Sequence, residues 1–166
     1  MEVIKGKVWK FGDNINTDVI YPGRYMKITD PEETAKHCFE TVYPEFMKEA
    51  KPGDIIVAGK YFGCGSSREQ AVTCLKYFGV GAVVAESFAR IYYRNAINVG
   101  LPIVVCPGIT KKVEKGDIIE INLEKGEIKN ERTGEIIKFE PLPDFVLQIF
   151  KAGGLIPYIR KKLGIE

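Results

Sequence analysis

The residues best equipped for chemistry stand in one run, FGCGSSREQA, at positions 62–71. Ser66 and Ser67 carry hydroxyls that can give or take a proton. Arg68 carries a planar fork of N–H donors suited to a carboxylate or phosphate. Gly63 and Gly65 allow the backbone to approach a ligand closely or to take positive φ. The apolar pattern that follows marks the start of a helix, whose unpaired first-turn N–H groups favour an anion. These features together point to a bound anion. The competing explanation is local: Ser66 or Ser67 caps the helix, and Glu69 or Gln70 completes a capping box. The paired glycines and the adjacent arginine favour the ligand.

The class of anion narrows by elimination. A P-loop needs Gly-Lys-Ser/Thr after its glycines, and none follows. A dinucleotide fingerprint needs a third glycine where Arg68 stands. A nucleophile elbow has the form G-x-S-x-G, which is absent, and the lone His37 is too far along the chain to suggest a serine-hydrolase triad. A small carboxylic acid fits best. The cysteines, Cys38, Cys64, Cys74 and Cys106, form no C-x-x-C pair and no familiar zinc spacing with His37. They are expected to be free thiols, and an iron–sulfur cluster held by this chain alone is not expected.

The elements that must position the serine–arginine run follow from periodicity. VIKGKVW alternates as a strand and leads into the Asn/Asp-rich turn of DNINTD. In the stretch that follows, Asp30 is a natural N-cap, Pro31 the first helical residue and Glu33 the acid of a capping box. IIVAG is a short buried strand, and REQAVTCLKYFGV is a helix with Ala71, Leu75 and Phe78 on one stripe. The plan repeats with AVVAES as strand, FARIYYRNAINVG as helix stopped by Gly100, and LPIVVCP as strand. Buried strands alternating with helices predict a parallel or mixed sheet with crossover helices. From Gly116 to Pro141 the pattern changes to short alternating runs broken by KGE and RTGE, which predicts antiparallel β-hairpins. A last helix from Asp144 is interrupted at Gly153-Gly154. The chain is expected to be one α/β domain spanning residues 1–166.

Composition excludes several function classes. Of 166 residues, 45% are hydrophobic and 28% charged, and the net charge is +2. That balance is globular and argues against a dedicated nucleic-acid binder. The basic IRKKLGIE tail reads as a solvated terminal helix. No apolar run approaches the ~20 residues of a membrane span. The N-terminus alternates where a signal peptide would be continuously apolar, so a cytoplasmic protein with no membrane association is expected.

Three stretches then carry a resemblance: FGCGSSREQA, DNINTDVIYPGRY and ESFARIYYRNAINVGLPIV, in that family's separations. They resemble the swivelling β/β/α domain of the aconitase superfamily in its stand-alone form, the small subunits of isopropylmalate dehydratase and homoaconitase. The resemblance runs from about Val3 to the closing helix. It implies a hydro-lyase subunit acting on a small dicarboxylate or tricarboxylate, interconverting 2-isopropylmalate and 3-isopropylmalate in leucine biosynthesis. Homoaconitase or another malate-type hydro-lyase is the alternative, and a carboxylate-binding or regulatory module is the alternative of a different class. In this family Ser66 would be the base, Arg68 the carboxylate clamp and Ser67 its support. In the RYMKIT loop, Tyr25, Met26, Lys27 and Ile28 would bind the group that distinguishes substrates, and Lys27 departs from both an arginine and an apolar pattern there. The resemblance further implies that this chain binds no cofactor or metal itself. A [4Fe-4S] cluster would sit in a separate large subunit, in a heterodimer or heterotetramer.

Overall fold

The computed structural model describes residues 3–165. Strand β1 (Ile4–Lys10) is followed by the single-turn helices α1 (Thr17–Ile20) and α2 (Pro31–Thr34) and by α3 (Glu45–Glu49). A regular alternation comes next: β2 (Ile55–Ala58), α4 (Gln70–Phe78), β3 (Ala82–Ala85), α5 (Arg90–Val99) and β4 (Ile103–Val105). The meander β5 (Ile118–Asn122), β6 (Glu127–Asn130) and β7 (Ile136–Lys138) precedes helices α6 (Asp144–Ala152) and α7 (Leu155–Lys162).

All seven strands form one mixed sheet in the order β4-β3-β2-β1-β5-β6-β7. β1 to β4 run parallel, while β5 to β7 are antiparallel, with β5 pairing against β1. Every residue of β2 and β3 is buried, because crossover helices cover strands of this kind on both faces. β1 joins the two halves. Its first residues, Ile4–Lys7, pair with β5 and alternate between partly covered and exposed. Its last residues, Val8–Lys10, pair with β2 and are largely buried. Gly6 sits at this junction for a steric reason: a Cβ there would lie 2.1 Å from the carbonyl oxygen of Gly53.

The meander is fastened by one carboxylate. Asp117 accepts from Arg132 Nε at 2.7 Å, Arg132 Nη2 at 3.1 Å, Asn130 Nδ2 at 3.0 Å and the Glu114 N–H at 2.8 Å. The Arg132 bonds foremost hold its pKa down at about 2. Helix ends fall where glycine permits a left-handed residue: Gly79, Gly100 and Gly153 close α4, α5 and α6. The expected break at Gly153-Gly154 therefore divides the last helix in two. α6 buries Val146, Leu147, Ile149 and Phe150, whereas α7 buries no side chain.

One expectation needs correction. Asp30 does cap α2, accepting from the Glu33 N–H at 3.2 Å, but the Glu33 carboxylate pairs with Lys36 at 3.2 Å instead of completing the box. The helix begun there lasts only one turn before a tighter turn at Ala35–His37. The chain then enters the core, where the ring of Phe39 stacks on Phe11 at 4.5 Å and lies 5.0 Å from that of Phe46. No local signal marked that cluster, because its members come from separate segments.

Candidate active site

β1, β2 and β3 are parallel neighbours, so the segments leaving their C-terminal ends meet along one edge of the sheet, where open α/β sheets bind ligands. The serine–arginine run leaves β2 and is held on both sides. On one side, Gly63 N donates to Ile15 O at 2.7 Å and Thr17 N to Cys64 O at 2.9 Å. On the other, Phe62 N donates to Ser87 O at 3.0 Å, and Ala89 N to Phe62 O at 2.9 Å. The three stretches singled out in the sequence thus converge.

Local packing explains the first glycine and the aromatic before it. Phe62 is fully buried, with edge contacts to Phe88 and Tyr92. Burying such a side chain contributes on the order of 2–3 kcal/mol, which anchors the loop. Gly63 has φ of 83° and lies against the Tyr92 ring, so a Cβ would fall 2.2 Å from it. Only glycine meets both conditions.

Beyond the glycines the loop opens to solvent, and Ser66 and Ser67 are exposed. Thr17 Oγ1 donates to the Ser66 carbonyl at 2.7 Å, fixing the backbone and leaving the hydroxyl uncommitted. Neither serine caps α4. The residue before that helix is Glu69, in helical conformation and making no side-chain cap bond. Gln70 does not close a capping box either; its amide donates to the carbonyls of Met26 at 3.1 Å and Ile28 at 3.4 Å. The local capping explanation of the run therefore fails. No side chain caps the first turn of α4, where Ala71 N donates to the Arg68 carbonyl at 3.2 Å and Val72 N to the Glu69 carbonyl at 2.9 Å.

Arg68 is restrained more firmly than its sequence neighbours suggest. Its Nη1 donates to Asp18 Oδ1 at 2.8 Å and to the Tyr21 carbonyl at 3.2 Å. Asp18 also accepts from the Gly23 N–H at 2.8 Å. The Arg68 bond, then the Gly23 N–H, holds the Asp18 carboxyl below the usual carboxylate range. Both of these Arg68 bonds use Nη1, so Nε and Nη2 are the donors left for a ligand. Sequence reasoning missed Asp18 as the orienting partner, although it lies in a stretch quoted for the resemblance.

A cavity of about 370 Å³ opens beside the run. Ser67, Arg68 and Thr17 line it together with Arg90, Asn95 and Tyr61. Two guanidinium groups in one concave wall, at the starts of α4 and α5, make it a site of positive potential suited to a carboxylate. Arg90, Asn95, Thr17 and Tyr61 were not singled out from the sequence; the only signal was their place in or beside the three stretches. Ser66 stands between Gly65 and Ser67, which both line the cavity, at its rim rather than in its wall. Tyr25, Met26, Lys27 and Ile28 lie outside the wall. They are nonetheless close in structure, since the Gln70 bonds tie their segment to α4 and a Cβ on Gly23 would lie 3.5 Å from the Arg68 guanidinium. Met26 and Lys27 are exposed and Ile28 is half-buried.

The donor set of this chain does not fit a metal cluster. Cys38, Cys74 and Cys106 are buried in the interior, and Cys64 alone is partly open. Among the described residues no group of three His, Cys, Asp or Glu side chains could hold a metal ion, and no helix is long and apolar enough to cross a membrane.

A mixed sheet with crossover helices, a glycine-bounded Ser-Ser-Arg run at its C-terminal edge and an arginine-lined cavity define a swivelling-type domain of the aconitase class. The aconitase C-terminal domain profile matches residues 7–107. The isopropylmalate/citramalate isomerase small subunit of Methanocaldococcus jannaschii is 58% identical, over 97% of this chain and 96% of that one. The 3-isopropylmalate dehydratase small subunit of Aquifex aeolicus is 56% identical, over 96% of this chain and 95% of that one. A crystal structure of 3-isopropylmalate dehydratase from Methanocaldococcus jannaschii superposes with a TM-score of 0.91 at 49% identity, covering 98% of this chain and 96% of that one. The chain belongs to the aconitase C-terminal domain family and, within it, groups with the small subunits of 3-isopropylmalate dehydratase.

Proposed function

We propose that the chain is the small subunit of a 3-isopropylmalate dehydratase, interconverting 2-isopropylmalate and 3-isopropylmalate with a large-subunit partner. The observation that carries this reading is the convergence of the three family stretches on one arginine-lined cavity, in a chain that matches such subunits almost end to end. The substrate is a dicarboxylate, and the reaction removes a proton from the carbon beside one carboxylate while hydroxide leaves the neighbouring carbon. Water then adds back with the opposite placement. A [4Fe-4S] cluster assigned to the partner supplies the Lewis acid that hydroxide departure needs.

The work of this chain is to hold the substrate and move the proton. Ser66 Oγ is the base. A serine hydroxyl is too weak an acid to ionise in water at neutral pH, so it needs positive potential in the proton-transferring state. The Arg68 and Arg90 guanidinium groups and the first-turn N–H groups of α4 provide it. Arg68, oriented by Asp18, clamps a substrate carboxylate through Nε and Nη2, with Ser67 beside it. The test is co-expression with a cluster-bearing large subunit, cluster reconstitution, and assay on isopropylmalate, citramalate and homoaconitate. Turnover of isopropylmalate is the expected result; binding without turnover would favour a carboxylate-binding module. The stoichiometry of the complex, heterodimer or heterotetramer, follows from its mass in solution.

Selection among substrates falls to Tyr25, Met26, Lys27 and Ile28. Apolar Met26 and Ile28 suit an isopropyl group. Lys27, exposed and without an ion pair among the described residues, can meet a carboxylate or swing aside and present its methylenes. Lys27→Val in the assembled enzyme is expected to shift kcat/KM about tenfold toward isopropylmalate over homoaconitate, the worth of one charged hydrogen bond. An unchanged ratio would assign the ammonium to solvent.

A further inference from the structure

His37, the chain's single histidine, has no part in the chemistry above, yet it is packed against the selecting segment. Its ring lies face to face on Tyr25, with centroids 3.7 Å apart and planes 16° from parallel. Its Nδ1 is 2.8 Å from Glu40 Oε2, and its side chain is only 20% exposed. Glu40 in turn loses accessibility to the surrounding structure, but bonds from Tyr25 and His37 outweigh that and hold its carboxyl below the usual range. Arg24 adds its guanidinium over the same Tyr25 ring, 5.0 Å from the centroid. Tyr25 is also held through its backbone, where its carbonyl accepts from the Tyr21 hydroxyl at 2.8 Å.

These contacts differ in kind. The bonds from Tyr21 and Gln70 reach only main-chain carbonyls of the segment, at Tyr25, Met26 and Ile28. The Tyr25 side chain itself is held by the face-to-face stack with His37, by the Arg24 contact, by the tilted Tyr21 ring at 6.3 Å and by its bond to Glu40, the same carboxylate that holds the His37 ring. Of these contacts only the His37 ring covers a face of Tyr25 at stacking distance, so without a flat ring at position 37 Tyr25 is less tightly fixed about χ1, and the exposed Met26 and Lys27 that follow are less firmly directed. Side chains that discriminate between an isopropyl and a methyl group must be held to within about half an ångström, which a mobile turn cannot provide.

We infer that His37 is a positioning residue for substrate selection, its ring clamping Tyr25 and its Nδ1 held in place by Glu40. The inference rests on the reading that Tyr25–Ile28 faces the variable group of the substrate. It requires the shape of the ring rather than its proton, since the stack is a face contact and Glu40 only fixes the ring's orientation.

The test uses the assembled enzyme with isopropylmalate and citramalate as probes, which share the malate core and differ in the alkyl group. His37→Ala is expected to reduce the kcat/KM preference between them by about fivefold or more, mainly through KM, since it loosens binding and leaves the reacting groups in place. His37→Phe keeps the stack and is expected to restore the preference to within about twofold of the parent, a rescue that loss of general stability would not produce. Glu40→Gln should fall between them. An unchanged preference in His37→Ala overturns the inference if Lys27→Val or Met26→Ala still moves it. If none of these variants moves the preference, the selecting role of the segment fails with it, and if no combination turns over isopropylmalate, the functional reading itself fails.

Discussion

Purified free of any partner, the chain is expected to show no dehydratase turnover on isopropylmalate, and to gain it when a cluster-loaded large subunit is added. The chain holds a candidate base at Ser66 and donors for a carboxylate at Arg68 and Arg90. Expelling hydroxide from an unactivated carbon also demands a Lewis acid. The four cysteines cannot assemble into its ligand set, since three are packed in the interior and Cys64 stands by itself in the serine–arginine loop. Ser66 and Ser67 are exposed beside the cavity, so water shares the site until another surface covers it. A sensitive assay of the ultraviolet absorbance of the unsaturated dicarboxylate at high enzyme concentration checks the claim. Turnover by the lone chain, after iron removal, would refute the division of labour between two subunits.

Within the assembled enzyme, Ser66→Ala is expected to lower kcat by about 10²–10⁴, the usual cost of losing a positioned base, with little change in KM. The structure makes this substitution unusually clean. Ser66 is fixed through its carbonyl, which accepts from Thr17 Oγ1, and alanine keeps that bond. The hydroxyl caps no helix, so its removal costs α4 nothing. Arg68→Gln offers the contrast: it removes both the ligand-facing donors and the pairing with Asp18, so kcat and KM should both suffer. Near-normal turnover in Ser66→Ala would leave Ser66 with a backbone role only. Steady-state kinetics of both variants in the same complex, with the unchanged mass of that complex as control, separates these outcomes.

The order of strands and helices was legible because it depends on local patterns. Continuous apolar β-branched runs specify β2 and β3, a helical stripe specifies α4, and glycines in the left-handed region end α4, α5 and α6. The change from buried to alternating runs after Gly116 likewise marked the switch from parallel to antiparallel pairing. The Ser66-Ser67-Arg68 run was legible too, since its residue types and its place between strand and helix limit the chemistry it can do. The capping alternative was equally local, and it failed for a reason that is not: Gln70 is drawn away to the carbonyls of Met26 and Ile28, more than forty residues earlier.

What only the tertiary structure decided is the company these residues keep. Asp18 reaches Arg68 across 50 positions of chain, and Thr17 reaches the Ser66 carbonyl across 49. Arg90 and Asn95 join the cavity wall because α5 follows β3, which lies beside β2 in the sheet. His37 meets Tyr25 because a turn after α2 carries it back, not because of any periodicity in the residues between. By itself the sequence determined which segments become strands and helices, and which run carries the chemistry, because helix periodicity, strand burial and glycine conformations are set within a few residues. The assembly of the site depends on which strands are neighbours, and that is settled by burying all the apolar faces at once, so no single stretch contains it.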